Sequence, residues 1–226
     1  MRIAGTVDLH TVLGQLSEAR RVFHSESDLQ LALAWQVKQA DPTLSVRLET
    51  RPSPGVHLDL LFDHLETRLC TAIEVKYLTR RWAGEVDGEE FDLKNHGAQD
   101  IRGYDVVKDV VRVEKLVAGA PNYNGAVVVL TNDSSYWRPP KANDTSNAVA
   151  FRLCEGSVLE GLRQWGPRTG AGTRKGREPA LHLVGRYELH WRAYSCLPGG
   201  PAGELRQLVI PIANDVRGAT VREGQV

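Results

Sequence analysis

The apolar positions of this chain repeat first with a helical period and then with the two-residue period of strands. Residues 9–21 predict a helix. A second is predicted to start at Ser25, an effective N-cap with Asp28 three residues on, and to run to about Ala40. Asp41-Pro42 ends it, because a residue before proline is pushed out of the α region. Residues 45–50 alternate like a strand, and 52–55, Pro-Ser-Pro-Gly, predict a turn. Two further strands are expected at 56–63 and 69–77, separated by a short polar loop. Residues 81–97, rich in charge and glycine, predict a loop with room for one short extra element. A long helix is expected over 99–117, where Val106, Val110, Val113 and Val117 fall at core-facing spacing. The apolar run 125–130 predicts a strand buried on both faces. A helix is expected over 148–165, a Gly-rich basic loop over 166–179, and strands at 181–194 and 205–212.

That order predicts an α/β layer with a mixed sheet, and not an alternating parallel wheel. A length of 226 residues suits a single domain, with a core that needs neither disulfide nor structural metal. Lys plus Arg equals Asp plus Glu at 28 each, so no global field draws in a polyanion, and any nucleic-acid contact must be local. Cys70, Cys154 and Cys196 are odd in number and far apart, which suggests neither a disulfide framework nor a zinc ribbon. No apolar run has the length of a signal peptide or a bilayer span, so a cytoplasmic protein without a membrane partner is expected.

The chemistry concentrates on the strand pair 56–63 and 69–77. Strict alternation puts Val56, Leu58, Leu60 and Phe62 on one face, with His57, Asp59 and Leu61 on the other. Glu74 and Lys76 likewise share a face. A turn centred between Glu66 and Thr67 places Asp59 directly across from Glu74. Two like charges so opposed destabilise a purely structural hairpin, and a divalent cation between them reverses the sign. A hard cation such as Mg²⁺ (or Mn²⁺) takes one or two carboxylates with carbonyl and water oxygens, which suits Asp59, Glu74 and the Val75 carbonyl. Lys76 is then placed to act on the attacking water or the scissile phosphate. Glu26 shares a helical stripe with Leu29, Leu33 and Val37, and so can reach the rim of the sheet as a supporting acid; acids are also favoured in a first turn by the helix dipole alone.

Taken together, Glu26, Asp59 and Glu74-Val75-Lys76 resemble the PD-(D/E)XK, or restriction-endonuclease-like, nuclease superfamily. The resemblance spans residues 23–130, and Leu58 stands where the namesake proline would be. Gln99, followed by Tyr104, is similar to the glutamine-tyrosine feature of some branches, with a spacing one residue longer. The resemblance implies a restriction-endonuclease-like core over about 20–165, a central mixed sheet flanked by helices, and additional C-terminal strands in an extension over 166–226. It also implies Mg²⁺-dependent hydrolysis of phosphodiester bonds, with DNA preferred over RNA. Asp59, Glu74, Lys76, Glu26 and Gln99 would be catalytic, and Asp59, Glu74, Val75 and Glu26 would hold the metal. A homodimer or a targeting partner is implied, in restriction, phage defence or repair. An inactive member of the fold, acting as a DNA-binding or protein-interaction subunit, is the alternative.

Other patterns carry less. Arg168, Arg174, Lys175 and Arg177 could contact phosphates or simply decorate a solvated loop, whose sequence lacks the Gly-Lys-Ser/Thr ending of a P-loop. Arg80, Arg81 and Trp82 could grip a backbone and stack on a base, or form an ordinary strand exit. His24-Ser25-Glu26 lacks the cysteine pair of a zinc deaminase, and neither G-x-S-x-G nor H-E-x-x-H occurs.

Overall fold

The computed structural model describes residues 1–53, 56–139 and 146–214, so the turn expected at 52–55 lies in part outside the described residues. In chain order the elements are β1 (Arg2–Ile3), β2 (Val7–Asp8), α1 (Leu9–Ala19), α2 (Glu26–Ala40), β3 (Ser45–Ser53), β4 (Val56–Asp63), β5 (Cys70–Leu78), β6 (Trp82–Val86), β7 (Glu89–Leu93), α3 (Gln99–Ala118), β8 (Tyr123–Thr131), β9 (Val158–Arg163), α4 (Ala171–Arg174), β10 (Leu181–Glu188), β11 (Trp191–Cys196) and β12 (Glu204–Ile212). Short 3-10 turns occupy Val149–Phe151 and Pro201–Gly203.

Six strands form one sheet in the order β11-β12-β8-β5-β4-β3. Only β5 and β8 are parallel in it, joined through α3, so the sheet is mixed. Two cores follow from its two faces. Leu60, Phe62, Ile73, Val75 and Val128 pack against Leu13, Leu16, Leu29 and Leu33 of α1 and α2. Leu61, Ala72, Val127, Val129 and Ile210 pack against the valines of α3 on the other side. The run 126–130 therefore reads as continuously apolar because both of its faces are covered.

Helix starts follow local chemistry. The Asp8 carboxylate caps α1 by accepting from Thr11 N, and Ser25 caps α2 by accepting from Asp28 N. That cap puts Glu26 at the first position of α2, facing the sheet end. Docking of α3 needs Gly125, since a Cβ there would lie 2.3 Å from Val113 Cγ1 and 2.9 Å from the Ala72 carbonyl oxygen.

Four expectations change. Residues 148–165 form no α-helix; they make the 3-10 turn and then β9. Gly156 and Gly161 adopt left-handed φ of 70° and 63°, which breaks any helical path. The strand expected at 181–194 splits at Leu189, which is fully buried and tied to Ser157 O and Gly156 N, so β10 pairs with β9 while β11 joins the main sheet. Residues 81–97 hold a hairpin, β6–β7, turned by Asp87-Gly88 at φ 54° and 83°. Finally, Leu58 joins the core under α3 while Leu60 joins the opposite one, so strict alternation ends at Asp59, where the β4–β5 ladder also stops. The segment read as an extension supplies β11 and β12, with β12 inside the sheet between β8 and β11. Among the described residues, no helix is long and apolar enough to cross a membrane.

Candidate active site

The β4–β5 register runs from Asp63 opposite Cys70 to Leu60 opposite Ile73, which centres the turn between Glu66 and Thr67. One further step sets Asp59 against Glu74. The strands part there, because Asp59 Oδ2 accepts a 2.7 Å hydrogen bond from Val75 N in place of a ladder bond. The parting leaves the carboxylate beside the Glu74-Val75-Lys76 segment of β5.

Lys76 is the hub. Its Nζ donates to the Val75 carbonyl at 3.0 Å and lies 3.1 Å from Asp109 Oδ2, 3.7 Å from Glu26 Oε1 and 4.0 Å from Asp59 Oδ2. Glu26 reaches this point from α2, its other oxygen accepting from Tyr77 N at 2.8 Å. The helix-start acid is thus both a sheet-end cap and a neighbour of the lysine. Burial raises its pKa, and Lys76 with the Tyr77 amide pulls it back.

Glu74 is 1% exposed. Burial, and then the charge of Asp59, push its carboxyl up to about 8, against the pull of Arg112 and Lys76. Arg112 Nε lies 3.2 Å from Glu74 Oε1, but without hydrogen-bond alignment, so both atoms stay buried and unbonded. The same guanidinium donates to the carbonyl of His57 at 2.9 Å and pairs with Asp109 Oδ1. Asp109 Oδ2 is a third buried polar atom of this cluster without a hydrogen bond.

Of these groups, Glu26, Lys76, Asp109 and Arg112 line a cleft of about 630 Å³ between the start of α2, the β6–β7 hairpin and α3, with Asp59 and Glu74 behind Lys76 and Arg112. Its rim carries Lys94, His96, Arg102 and Lys108, and its acids include Asp92 and Asp105. Arg102, Asp105, Asp109 and Arg112 follow one helical stripe of α3, and sequence reasoning passed over all four. The legible signal was Asp109, an acid set among Val106, Val107, Val110 and Val111.

Gln99 is not brought to this cleft. Its Nε2 donates to Asp133 Oδ2 at 2.9 Å, and it lines a separate cavity with Tyr136, Arg138 and Arg152. Tyr104 is buried, stacked on Trp165, with its hydroxyl donating to Pro179 O. Trp82 is no base-stacking platform either, being buried with Nε1 bonded to Pro198 O. In the basic loop, Arg177 is held by Asp105 at 3.0 and 3.2 Å, while Arg168, Arg174 and Lys175 are exposed. His57 points away, toward Glu49 and Arg51.

Among the described residues, no three His, Cys, Asp or Glu side chains come together with the geometry of a metal cluster. The Asp59 and Glu26 carboxylates and the Val75 carbonyl surround Lys76 Nζ, with the Glu74 carboxyl set apart against Arg112; these are hard oxygen donors of the type Mg²⁺ takes. The unbonded Glu74 Oε1 fits such an ion.

Fold and site together define an α/β protein with a mixed sheet and, beside the end of β5, a cleft lined by both acids and bases around Lys76. Comparison with protein-family models, with curated proteins and with solved structures finds no match to the chain.

Proposed function

We propose that the chain is a Mg²⁺-dependent nuclease that hydrolyses phosphodiester bonds, with DNA as substrate. The observation that carries this reading is the charge balance of the cleft. Around Lys76, the four carboxyls Glu26, Asp59, Glu74 and Asp109 share the two cations Lys76 and Arg112 in their ion pairs, with Arg102 acting on Glu26 from farther off, so carboxyls outnumber cations within this cluster. In a buried setting that excess is relieved by protonation, as at Glu74, or by a divalent cation.

Asp59, Glu74 and the Val75 carbonyl would hold Mg²⁺, with Glu26 in support. Bound there, the ion supplies Lewis-acid polarisation of a phosphoryl oxygen. Lys76 keeps a fixed positive charge at the floor, where it orients a water and balances charge that develops on the phosphate. Lys94, Arg102 and Lys108 at the rim suit contacts to flanking phosphates, which hold the strand without reading its sequence. Since the chain is neutral overall, these local charges carry the attraction. Selection of DNA would come from self-association or a targeting partner, a reading supported by Leu31, Trp35 and Leu48, exposed together along the β3 edge of the sheet.

Nicking of supercoiled plasmid with Mg²⁺ or Mn²⁺ tests the reading; identical gels from wild type and Asp59→Ala overturn it. The rival, a non-catalytic subunit of the same fold, draws on the two cations that already sit at Glu74 and Asp109. The same gels distinguish the two.

A further inference from the structure

We propose that Asp109 is a positioning residue for Lys76, and that it keeps the ammonium in place when a divalent cation takes the other oxygens around it. The inference rests on the nuclease reading above. Four oxygens of the described residues lie within 4.0 Å of Lys76 Nζ: the Val75 carbonyl, Asp109 Oδ2, Glu26 Oε1 and Asp59 Oδ2. Three of them belong to the set that would hold Mg²⁺. An ammonium and a divalent ion cannot share those three, because like charges in a buried site repel strongly. Asp109 is the remaining partner, and it stands apart from the metal set in the way it is held.

Asp109 comes from α3, across the cleft from the strands that carry Asp59, Glu74 and Val75. It is 3% exposed, and its two oxygens are divided between two cations, Oδ1 on Arg112 and Oδ2 on Lys76. Arg112 is itself anchored on the His57 carbonyl, and α3 is pressed onto the sheet over Gly125. The carboxylate is therefore fixed before any ion arrives. A buried carboxylate so held is not needed to fill space, since apolar residues of similar size often match a buried ion pair in stability. Its Oδ2 has no aligned hydrogen bond, so that oxygen faces the ammonium alone. Lys76 thus has a berth on Asp109 that does not compete with the metal, close enough to the Val75 carbonyl for its charge to remain at the floor of the cleft.

Calorimetry with Mn²⁺ on the full chain tests this, with folding of each variant checked by melting in EDTA. Asp109→Asn is expected to weaken Mn²⁺ binding about tenfold, since an ammonium deprived of its carboxylate stays on the Val75 carbonyl and competes with the ion. In a Lys76→Met background the same substitution is expected to change affinity by no more than about twofold, because nothing is left to position. Asp109→Glu should recover part of the affinity. An equal loss in both backgrounds overturns the proposal and makes Asp109 a ligand or a general field source; no loss in the wild-type background overturns it as well. A wild type that binds no Mn²⁺ sinks the nuclease reading and the inference with it, so the two failures are read from different samples. If Asp109→Asn does not fold, Lys76→Met alone is compared with the Lys76→Met, Asp109→Asn double variant: equal affinities are expected, and unequal ones overturn the proposal.

Discussion

Glu26, the first residue of α2, accepts a hydrogen bond from the backbone N–H of Tyr77 at the far end of β5. One carboxylate thereby ties a helix start to the strand that carries Glu74 and Lys76. Glu26→Ala is expected to orphan that N–H and cost about 1–3 kcal/mol, beyond any effect on the helix cap, which Ser25 supplies. Urea denaturation measures it. A variant as stable as wild type would show that the bond holds nothing, and plasmid nicking by the same variant should fall with it.

Glu74 predicts an alkaline weakness of the metal-free protein. Its carboxyl titrates near 4.5 when exposed and at about 8 in the fold. Below the lower value both states are protonated and the fold loses nothing. Between the two, the folded state binds the extra proton, so stability falls as pH rises and levels off above about 8. The loss is on the order of a few kcal/mol, moderated by Lys76 and Arg112 and aggravated by Asp59. Denaturation midpoints in EDTA from about pH 5 to 9 should drop for wild type and stay nearly level for Glu74→Gln. Parallel slopes for the two proteins would refute the assignment.

On the nuclease reading, removal of the metal, or substitution of Asp59, should silence the activity without unfolding the protein. EDTA is expected to abolish plasmid nicking reversibly, and Asp59→Asn to lower the rate by at least about a hundredfold. Asn keeps the acceptor for Val75 N, so circular dichroism should be unchanged while Mn²⁺ binding is lost. Full activity of Asp59→Asn at saturating Mn²⁺ would remove Asp59 from the site.

Gly125 permits the close approach of α3 to the sheet. Gly125→Ala should cost about 1–3 kcal/mol through overpacking against Val113 and the Ala72 carbonyl. Because α3 carries Asp109 and Arg112, nicking should decline more than the loss of folded protein explains. A melting temperature equal to that of wild type would show that α3 yields freely.

The sheet site was legible because a hairpin has one free parameter, the centre of its turn, and that centre places Asp59 against Glu74. Glu26 was legible because Ser25 is an N-cap and a cap determines which residue opens the helix. Asp109 and Arg112 were not, since helical period reveals a stripe but not the strand it will cover. Their partners depend on the crossing of α3 over β5, which Gly125 decides from outside the helix. Gln99 misled because a helix-start glutamine has no locally encoded target, and Asp133 captures it. The β6–β7 hairpin was read as a loop because its charge and glycine outweighed Trp82, Val86, Phe91 and Leu93 on either side of Asp87-Gly88, and the helix expected over 148–165 gives way to left-handed corners at Gly156 and Gly161. The mixed sheet flanked by helices was legible throughout; the place of β12 inside it was not.

That place has a consequence for how the molecule is made. β8, the most apolar strand of the sheet, pairs on one side with β5 and on the other with β12, whose residues 206–212 leave the ribosome long after residues 125–131. Until then a nascent chain carries a bare, hydrophobic edge at its centre, open to pairing with any other extended segment. Contacts of such long sequence separation also close slowly. Completion of the sheet therefore waits on the synthesis of residues 206–212, and until then β8 is the segment of the growing chain most exposed to wrong pairing.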